Sequence, residues 1–516
     1  MRLLDTLCQM LLPTLLLVLF LAAGEVRSFA GVPVAEKSEV YSLRVAGILI
    51  PVEHFRGVHY ARFDASNQVE VVVRIAEPVF SCSVSPVTYQ IEAARSGREI
   101  RFRLDSPRKL MLTINKLPPL FLLPDAPTAT SPKPGDSGVV SLDRFPVDKT
   151  GKRLCTAVIQ DAIRLLPRNG TLFVPPGIYL TGTIALKSDM TLYLAQGAVL
   201  QGSPDREDYP VDLGRTEADH VNDPKNYTNH GERMTYSRLL LIDGAENVRI
   251  TGRGTIDGNG AKVRRQGKPA NLIRVRNSKD VVIQDVLLRD AAAWTVHILG
   301  CDHVLAQNVK IINDLEVGNT DGFDPDSSSH VTIENCFAYC GDDTVAVKAS
   351  NNGGILRDVG NINVRSNVFW TLKSALKVGT ETKAARLGNI TFAYNEVLSA
   401  DRGMALYCPD GALFHDVRFI GNSFERCSMD SRRRLIDFTV SKRDGLGAIR
   451  DVLIKDCVLQ HSWPNQGTNR GLGPTNQVGN VRFVNFRIEG KYCHNLDEAQ
   501  IGQPTFAEQI TFSSTQ

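Results

Sequence analysis

Val304-Leu-Ala-Gln-Asn308, Val331-Thr-Ile-Glu-Asn335, Ile362-Asn-Val-Arg-Ser-Asn367, Ile390-Thr-Phe-Ala-Tyr-Asn395 and Val417-Arg-Phe-Ile-Gly-Asn422 repeat one phrase, continued by Val452 to Asp456 and Val481 to Asn485. The phrase is a short β-branched run closed by Asn or Asp, and it returns every 27 to 35 residues. Self-similarity on that scale marks a solenoid or a propeller. No second helix intervenes in each repeat, which excludes helical solenoids, and no blade-type Trp-Asp signature recurs. Each repeat instead holds several short strands, with an Asn or Asp suited to a left-handed bend at a coil corner. Stacked coils of this kind bury a continuous core. The expectation is an all-β chain whose main body is a right-handed parallel β-helix of roughly ten coils. An amphipathic helix over 156–166 caps its N-terminal end.

Working outward, 31–126 holds alternating runs at Val40–Val45, Val69–Ile75, Glu99–Leu104 and Lys109–Ile114. Period-2 alternation between turn residues predicts a small antiparallel β-sandwich. Four prolines between Pro124 and Asp136 read as an extended connection, which places a linker at 127–140 and the β-helix at 141–516. At the start, Arg2 precedes an apolar run from Leu11 to Ala23, and Ser28-Phe29-Ala30 offers small residues for cleavage. Residues 1–30 therefore read as an export signal, too short in its apolar part for a membrane span. The product is expected outside the cytoplasm, as a monomer with no membrane contact once cleaved.

The 516 residues carry a net charge of +3, too little to argue for nucleic acid as a partner. The one short basic run, Ser431-Arg432-Arg433-Arg434, reads as a solvated loop. Nine cysteines follow Cys8, widely spaced and without zinc spacing. Cys301, Cys336 and Cys457 fall in strand-like runs and are expected as buried small hydrophobes, with at most one or two bridges elsewhere.

Two acidic motifs stand one coil apart: Asn319-Thr320-Asp321-Gly322 before the strand at Val331, and Gly341-Asp342-Asp343 after it. In a solenoid such positions become neighbours, so Asp321, Asp342 and Asp343 should converge. Crowded carboxylates raise at least one pKa, a cost that structure alone gives little reason to accept. Glycoside hydrolysis has a use for it, needing one protonated carboxyl for the leaving oxygen and one carboxylate to activate water. A calcium site, with Asp324 and Asp326 nearby, is the leading alternative from the bare residues, and plain surface turns are another.

Asn-Thr-Asp-Gly followed by Gly-Asp-Asp resembles glycoside hydrolase family 28, the polygalacturonase family. The resemblance runs from about Leu154 to Cys427 and includes Val174-Pro-Pro-Gly-Ile-Tyr179, Asp205-x-x-Asp-Tyr209, Thr251 to Gly258 and Trp294-Thr-Val-His297. It implies a right-handed β-helix and inverting hydrolysis of a polysaccharide, with no cofactor and no metal. By motif position, Asp342 would be the general acid, with Asp321 and Asp343 positioning and deprotonating the water. Inversion calls for acid and base carboxyls about 6.5–9.5 Å apart.

The sequence also departs from the family. Its Gly-His-Gly is replaced by Lys373-Ser-Ala-Leu-Lys-Val-Gly379. Its Arg-Ile-Lys is replaced within Asp401-Arg-Gly-Met-Ala-Leu-Tyr407, so that Ala405 and Tyr407 stand where the two cations would be. Candidate substrate-binding residues are then Lys348, Lys373, Lys377, Arg402, Tyr407 and His297, the last more often structural. They suit another acidic sugar, or a neutral one with Tyr407 as a stacking platform. The layout of a sandwich before a β-helix also resembles dextranase-type hydrolases. A polysaccharide lyase or epimerase on the same scaffold, and a non-catalytic carbohydrate-binding β-helix, are the competing readings.

Overall fold

The computed structural model describes residues 25–29, 31, 34–128, 130–209, 237–266 and 270–514. The apolar run of the export signal and the segment 210–236 lie outside them. Among the described residues no helix is long and apolar enough to cross a membrane.

From Val139 onward the described residues form a right-handed parallel β-helix. Each coil gives one strand to each of three sheets, as Ser329–Glu334, Phe337–Cys340 and Val345–Ala349 do in succession. The first and second sheets hold 13 strands each and the third holds ten. The opening residues of the repeated phrase stack in strict register: Val304, Val331, Ile362, Ile390, Val417, Val452 and Val481 are partners in turn. Their side chains enter one continuous apolar core. The helix Thr156–Leu165 closes the N-terminal end by burying Ile159, Ala162 and Ile163 there.

The corner after the phrase behaves in two ways, set by a one-residue difference in spacing. Where three residues separate the opening residue from the Asn or Asp, that residue takes the left-handed bend, at Asn308, Asn335, Asp456 and Asn485. Where four separate them, the bend falls one place earlier, on Ser366, Tyr394 and Gly421. Asn367, Asn395 and Asn422 are then fully buried and bond to one another along the helix axis. Cys336 and Cys457 occupy the same inward column at either end of this ladder: Cys336 N–H donates to Asn367 Oδ1, and Asn422 lies against Cys457 Sγ. All nine cysteines among the described residues are free thiols, so the expected bridges are not made.

The N-terminal part is a sandwich of a seven-stranded and a five-stranded sheet. The four alternating runs are strands in it, Tyr41–Val45, Val69–Ile75, Glu99–Leu104 and Leu110–Ile114. Two further strands, Val58–Ala65 and Leu120–Asp125, are buried at every residue and pair in parallel. They show no alternation because both faces are covered. Ala61, Phe63, Leu120 and Leu122 face the sandwich core, while Tyr60, Phe121 and Leu123 pack on Leu287, Ile312 and Phe337 of the second helical sheet. Within the range read as export signal, Val26–Ser28 is an edge strand paired with Phe63–Ala65.

Candidate active site

The turn that leads from the second sheet into the third gathers side chains from successive coils. Asp321 precedes the strand Phe323–Asp326, Asp342 and Asp343 precede Val345–Ala349, and Lys377 and Tyr407 lie on the next two strands, Ser374–Thr382 and Arg402–Asp410. Asp321, Asp342 and Asp343 each present a carboxylate oxygen within 4.8 Å of the others. The convergence expected from the repeat spacing is therefore present, and these three could also hold a cation between them.

Their surroundings differ. Asp343 is buried and doubly held: Ser374 N–H donates to Oδ1 at 2.8 Å and Lys377 Nζ to Oδ2 at 2.5 Å. Burial alone would raise its pKa, but Lys377 and Arg402 outweigh burial and hold it at about 2. Asp342, the partly exposed member, accepts from the backbone N–H groups of Asn319 (3.2 Å) and Asp343 (3.0 Å). Burial, with the charges of Asp321 and Asp343 beside it, pushes its pKa up to about 7. Asp321 is also raised well above the carboxylate range, chiefly by burial, against the pull of Lys348 Nζ at 3.3 Å. One carboxyl that keeps its proton beside one that stays ionised can give a proton and hold a polar group at the same spot.

Lys348 supplies the cation beneath this group. Its ammonium lies 3.0 Å from Asp324, 3.3 Å from Asp321 and 3.7 Å from Glu381, and 3.8 Å from the centroid of the Trp294 ring. Burial would lower the Lys348 pKa, yet Asp321, Asp324 and Glu381 raise it well above the ordinary value, so it stays charged. Asp324 and Asp326 do not form the calcium cluster weighed above. Asp324 is committed to Lys348, and Asp326 to His297 Nε2 (3.1 Å) and to Ser350 N–H (2.9 Å).

The other sequence-predicted residues divide. His297 is fully buried behind the site, its pKa lowered to about 4 by burial, and it presents no surface to a ligand. Arg402 Nε donates to Ser374 Oγ at 2.8 Å and its guanidinium pairs with Asp401 at 3.0 Å. Tyr407 donates its hydroxyl to Asp437 at 2.5 Å. Lys373, the outermost, pairs with Asp430 at 2.5 Å.

Three contributors escaped the sequence reading. Glu381 lies two residues beyond the Lys373–Gly379 stretch and is brought to Lys348 by the length of its strand, Ser374–Thr382. Arg264 donates to the carbonyls of Ala292 and Gly318, fixing the turn from which Asn319 reaches Asp342. The basic run 431–434 is not a free loop. Asp401 Oδ1 accepts from the N–H groups of Arg432 and Arg433, which turns the Arg432 side chain onto Asp437 at 3.1 Å and to 5.5 Å from the Tyr407 ring centroid. The signal for it was Asp401, the first residue of the Asp401–Tyr407 stretch.

Residues 212–406 match the family described as Glycosyl hydrolases family 28, a span that contains all three aspartates and ends one residue before Tyr407. The chain is 33% identical over 214 residues to a "Probable polygalacturonase" of Vitis vinifera, covering 39% of this chain and 42% of that one. It is 26% identical over 464 residues to an "Exo-poly-alpha-D-galacturonosidase" of Dickeya chrysanthemi, covering 76% and 74%. Among solved structures, an exopolygalacturonase from Thermotoga maritima superposes with a TM-score of 0.58 at 22% identity, over 74% of this chain and 93% of that one. Dex49A from Penicillium minioluteum superposes with a TM-score of 0.63 at 12% identity, over 94% and 96%.

Proposed function

As this chain belongs to glycosyl hydrolases family 28, we propose that it is an exported hydrolase of glycosidic bonds in a pectic or related polysaccharide. The observation that carries the reading is the opposed behaviour of two adjacent carboxyls: Asp342 keeps a proton up to about pH 7, while Asp343 is ionised down to about pH 2. Asp342, the more accessible, protonates the leaving oxygen. Asp321, whose ionised form is stabilised by Lys348 Nζ at 3.3 Å, takes the proton from the attacking water. Asp343, too weak a base at about 2, orients that water and stabilises the cationic transition state.

We read the course as inversion, on the family resemblance. The carboxylate oxygens come within 4.8 Å, closer than the about 6.5–9.5 Å between carboxyls typical of inverting pairs. Three carboxyls rather than two supply the difference, because the water is held between two of them instead of facing one. Proton NMR of the first-formed anomer tests this: a product of retained configuration would overturn it. A lyase would draw on a lysine as base, and both lysines beside these carboxyls are ion-paired, Lys348 with Asp321 and Asp324 and Lys377 with Asp343.

The direct test of the hydrolase reading is Asp342→Asn assayed for reducing-end release on a polysaccharide panel that includes polygalacturonate. Loss of at least a thousandfold in kcat on the best substrate is expected. Undiminished kcat would remove Asp342 as the acid, and wild-type protein inert on the whole panel would remove the hydrolase.

A further inference from the structure

The cations around the trio leave an acidic and a neutral sugar both open, and their pairing favours the neutral one. Among the described residues here, Lys377 is spent on Asp343, Arg402 on Asp401, Arg432 on Asp437 and Lys373 on Asp430, while Lys348 faces three carboxylates. Each cation has its own anion, and the innermost has a surplus. On the outward face of the third sheet, the register runs from Lys377 through Ala405 to Asp437. The centre of that row is thus a methyl group, and the next rung carries a buried carboxylate.

We propose that the subsite on the C-terminal side of Asp343, floored by Tyr407 and edged by Arg432, takes a neutral pyranose rather than a uronate. The inference rests on the hydrolase reading above and adds the sugar class at one subsite. Tyr407 is partly exposed, with its hydroxyl fixed on Asp437, so its ring is held as a platform for the apolar face of a sugar. Lys377 Nζ lies 2.5 Å from Asp343 and 5.7 Å from the Tyr407 ring centroid, which puts platform and carboxylate within reach of one sugar residue. Arg432 uses one N–H on Asp437 and remains about half exposed, and its other donors suit hydroxyl oxygens. A sugar carboxylate placed here would find the neighbouring cations, among the described residues, already neutralised by Asp343, Asp437, Asp401 and Asp430. An ion that loses its water where no free cation replaces it is disfavoured against a neutral analogue of the same shape, a common source of specificity.

Two measurements test this. In the first, wild-type protein is assayed on polygalacturonate and on its carboxyl-reduced counterpart, in which each carboxylate becomes a hydroxymethyl group. At least tenfold higher kcat/KM on the reduced polymer is expected, and the double substitution Ala405→Arg with Tyr407→Lys should raise kcat/KM on polygalacturonate at least tenfold. Preference for polygalacturonate, lost in Arg432→Ala, would overturn the proposal while leaving the hydrolase intact. In the second, which holds even if neither polymer is cut, wild-type binding is measured by ligand-observed NMR for matched pairs: galactose with galacturonate, glucose with glucuronate, and mannose with mannuronate. Binding of a neutral member that weakens in Tyr407→Ala supports the subsite. A uronate that binds more tightly than its neutral partner, or no neutral sugar bound at all, overturns it.

Discussion

Lys377 Nζ stands 2.5 Å from Oδ2 of Asp343, and this bond separates the behaviour of two carboxyls that are adjacent in sequence. Both are in the same crowded turn, yet one is held at about 2 and the other near 7. The difference lies in the partners: Asp343 is bonded to an ammonium and a backbone N–H, and Asp342 accepts from two backbone N–H groups.

Replacing Lys377 by Met should therefore act through Asp343. The carboxylate would remain buried without its cation, a change that costs about 3–5 kcal/mol when one partner of a buried pair is removed. Its pKa should climb, and the acid limb of the pH–rate profile should move upward by at least one unit, with kcat down a hundredfold or more. Adding Asp343→Asn to Lys377→Met should recover most of the stability and none of the activity. If the double variant is no more stable than the single one, the pair is not what holds this turn.

Asp342 gives the opposite pH dependence. Its folded pKa, about 7, lies above the unfolded value of about 3.9, so the native state binds the proton more tightly. The stability it contributes is fully present below about pH 4 and is lost as pH rises through 7. Asp64, Asp290 and Asp324, each raised to about 6 by burial first of all, add to the same trend. Activity on the best substrate should fall across pH 7 as the acid loses its proton. Asp342→Asn should melt higher than wild type at pH 8 and close to wild type at pH 4, read by scanning calorimetry. Equal melting temperatures at both values would mean that Asp342 is not strained by its neighbours.

The β-helix was legible because the repeated phrase places one apolar side chain per coil in the same column, and the aspartates were legible because their separation is close to one coil. Three things were not, each for a physical reason. Val58–Ala65 and Leu120–Asp125 lack alternation because one face meets the sandwich core and the other meets the helix. The role of Asn367, Asn395 and Asn422 depends on one extra residue before the corner, which looks like noise in a sequence pattern. Of the partners that neutralise the site cations, Asp430 comes from a distant turn to reach Lys373, while Asp401 and Asp437 stand close in sequence to Arg402 and Arg432, where residue type alone does not mark a pair.

The junction of the two parts should be sensitive to a single ion pair. Lys310 and Asp125 are both almost wholly buried and bonded to each other, and Arg253 joins Asp125 at 3.2 Å, Asp64 at 3.2 Å and Asp285 at 3.1 Å. Burial lowers the Lys310 pKa, so the pair exists by virtue of Asp125. Lys310→Met should loosen the sandwich from the second sheet, seen as faster proteolysis within 126–138 and a lower melting temperature. Unaltered cleavage there would show that the apolar contacts of Tyr60, Phe121 and Leu123 hold the junction unaided.

The buried ladder makes a prediction about additivity. Asn395 Oδ1 accepts from the N–H and Nδ2 of Asn367, and its own N–H and Nδ2 donate to Asn422 Oδ1, so each rung satisfies the next. Asn395→Val alone should orphan polar groups on both sides, at about 1–3 kcal/mol for each group left unsatisfied. The column itself accepts apolar residues, since Val309, Cys336, Cys457 and Phe486 are packed into the same core beyond the ladder's ends. Converting Asn367, Asn395 and Asn422 together to Val should therefore cost less than three times the single change, because most side-chain donors and acceptors are removed along with their partners. Denaturant midpoints for the single and triple variants decide it. A triple loss equal to or above three single losses would mean that the backbone at these corners depends on the Asn side chains directly, and not merely on their mutual satisfaction.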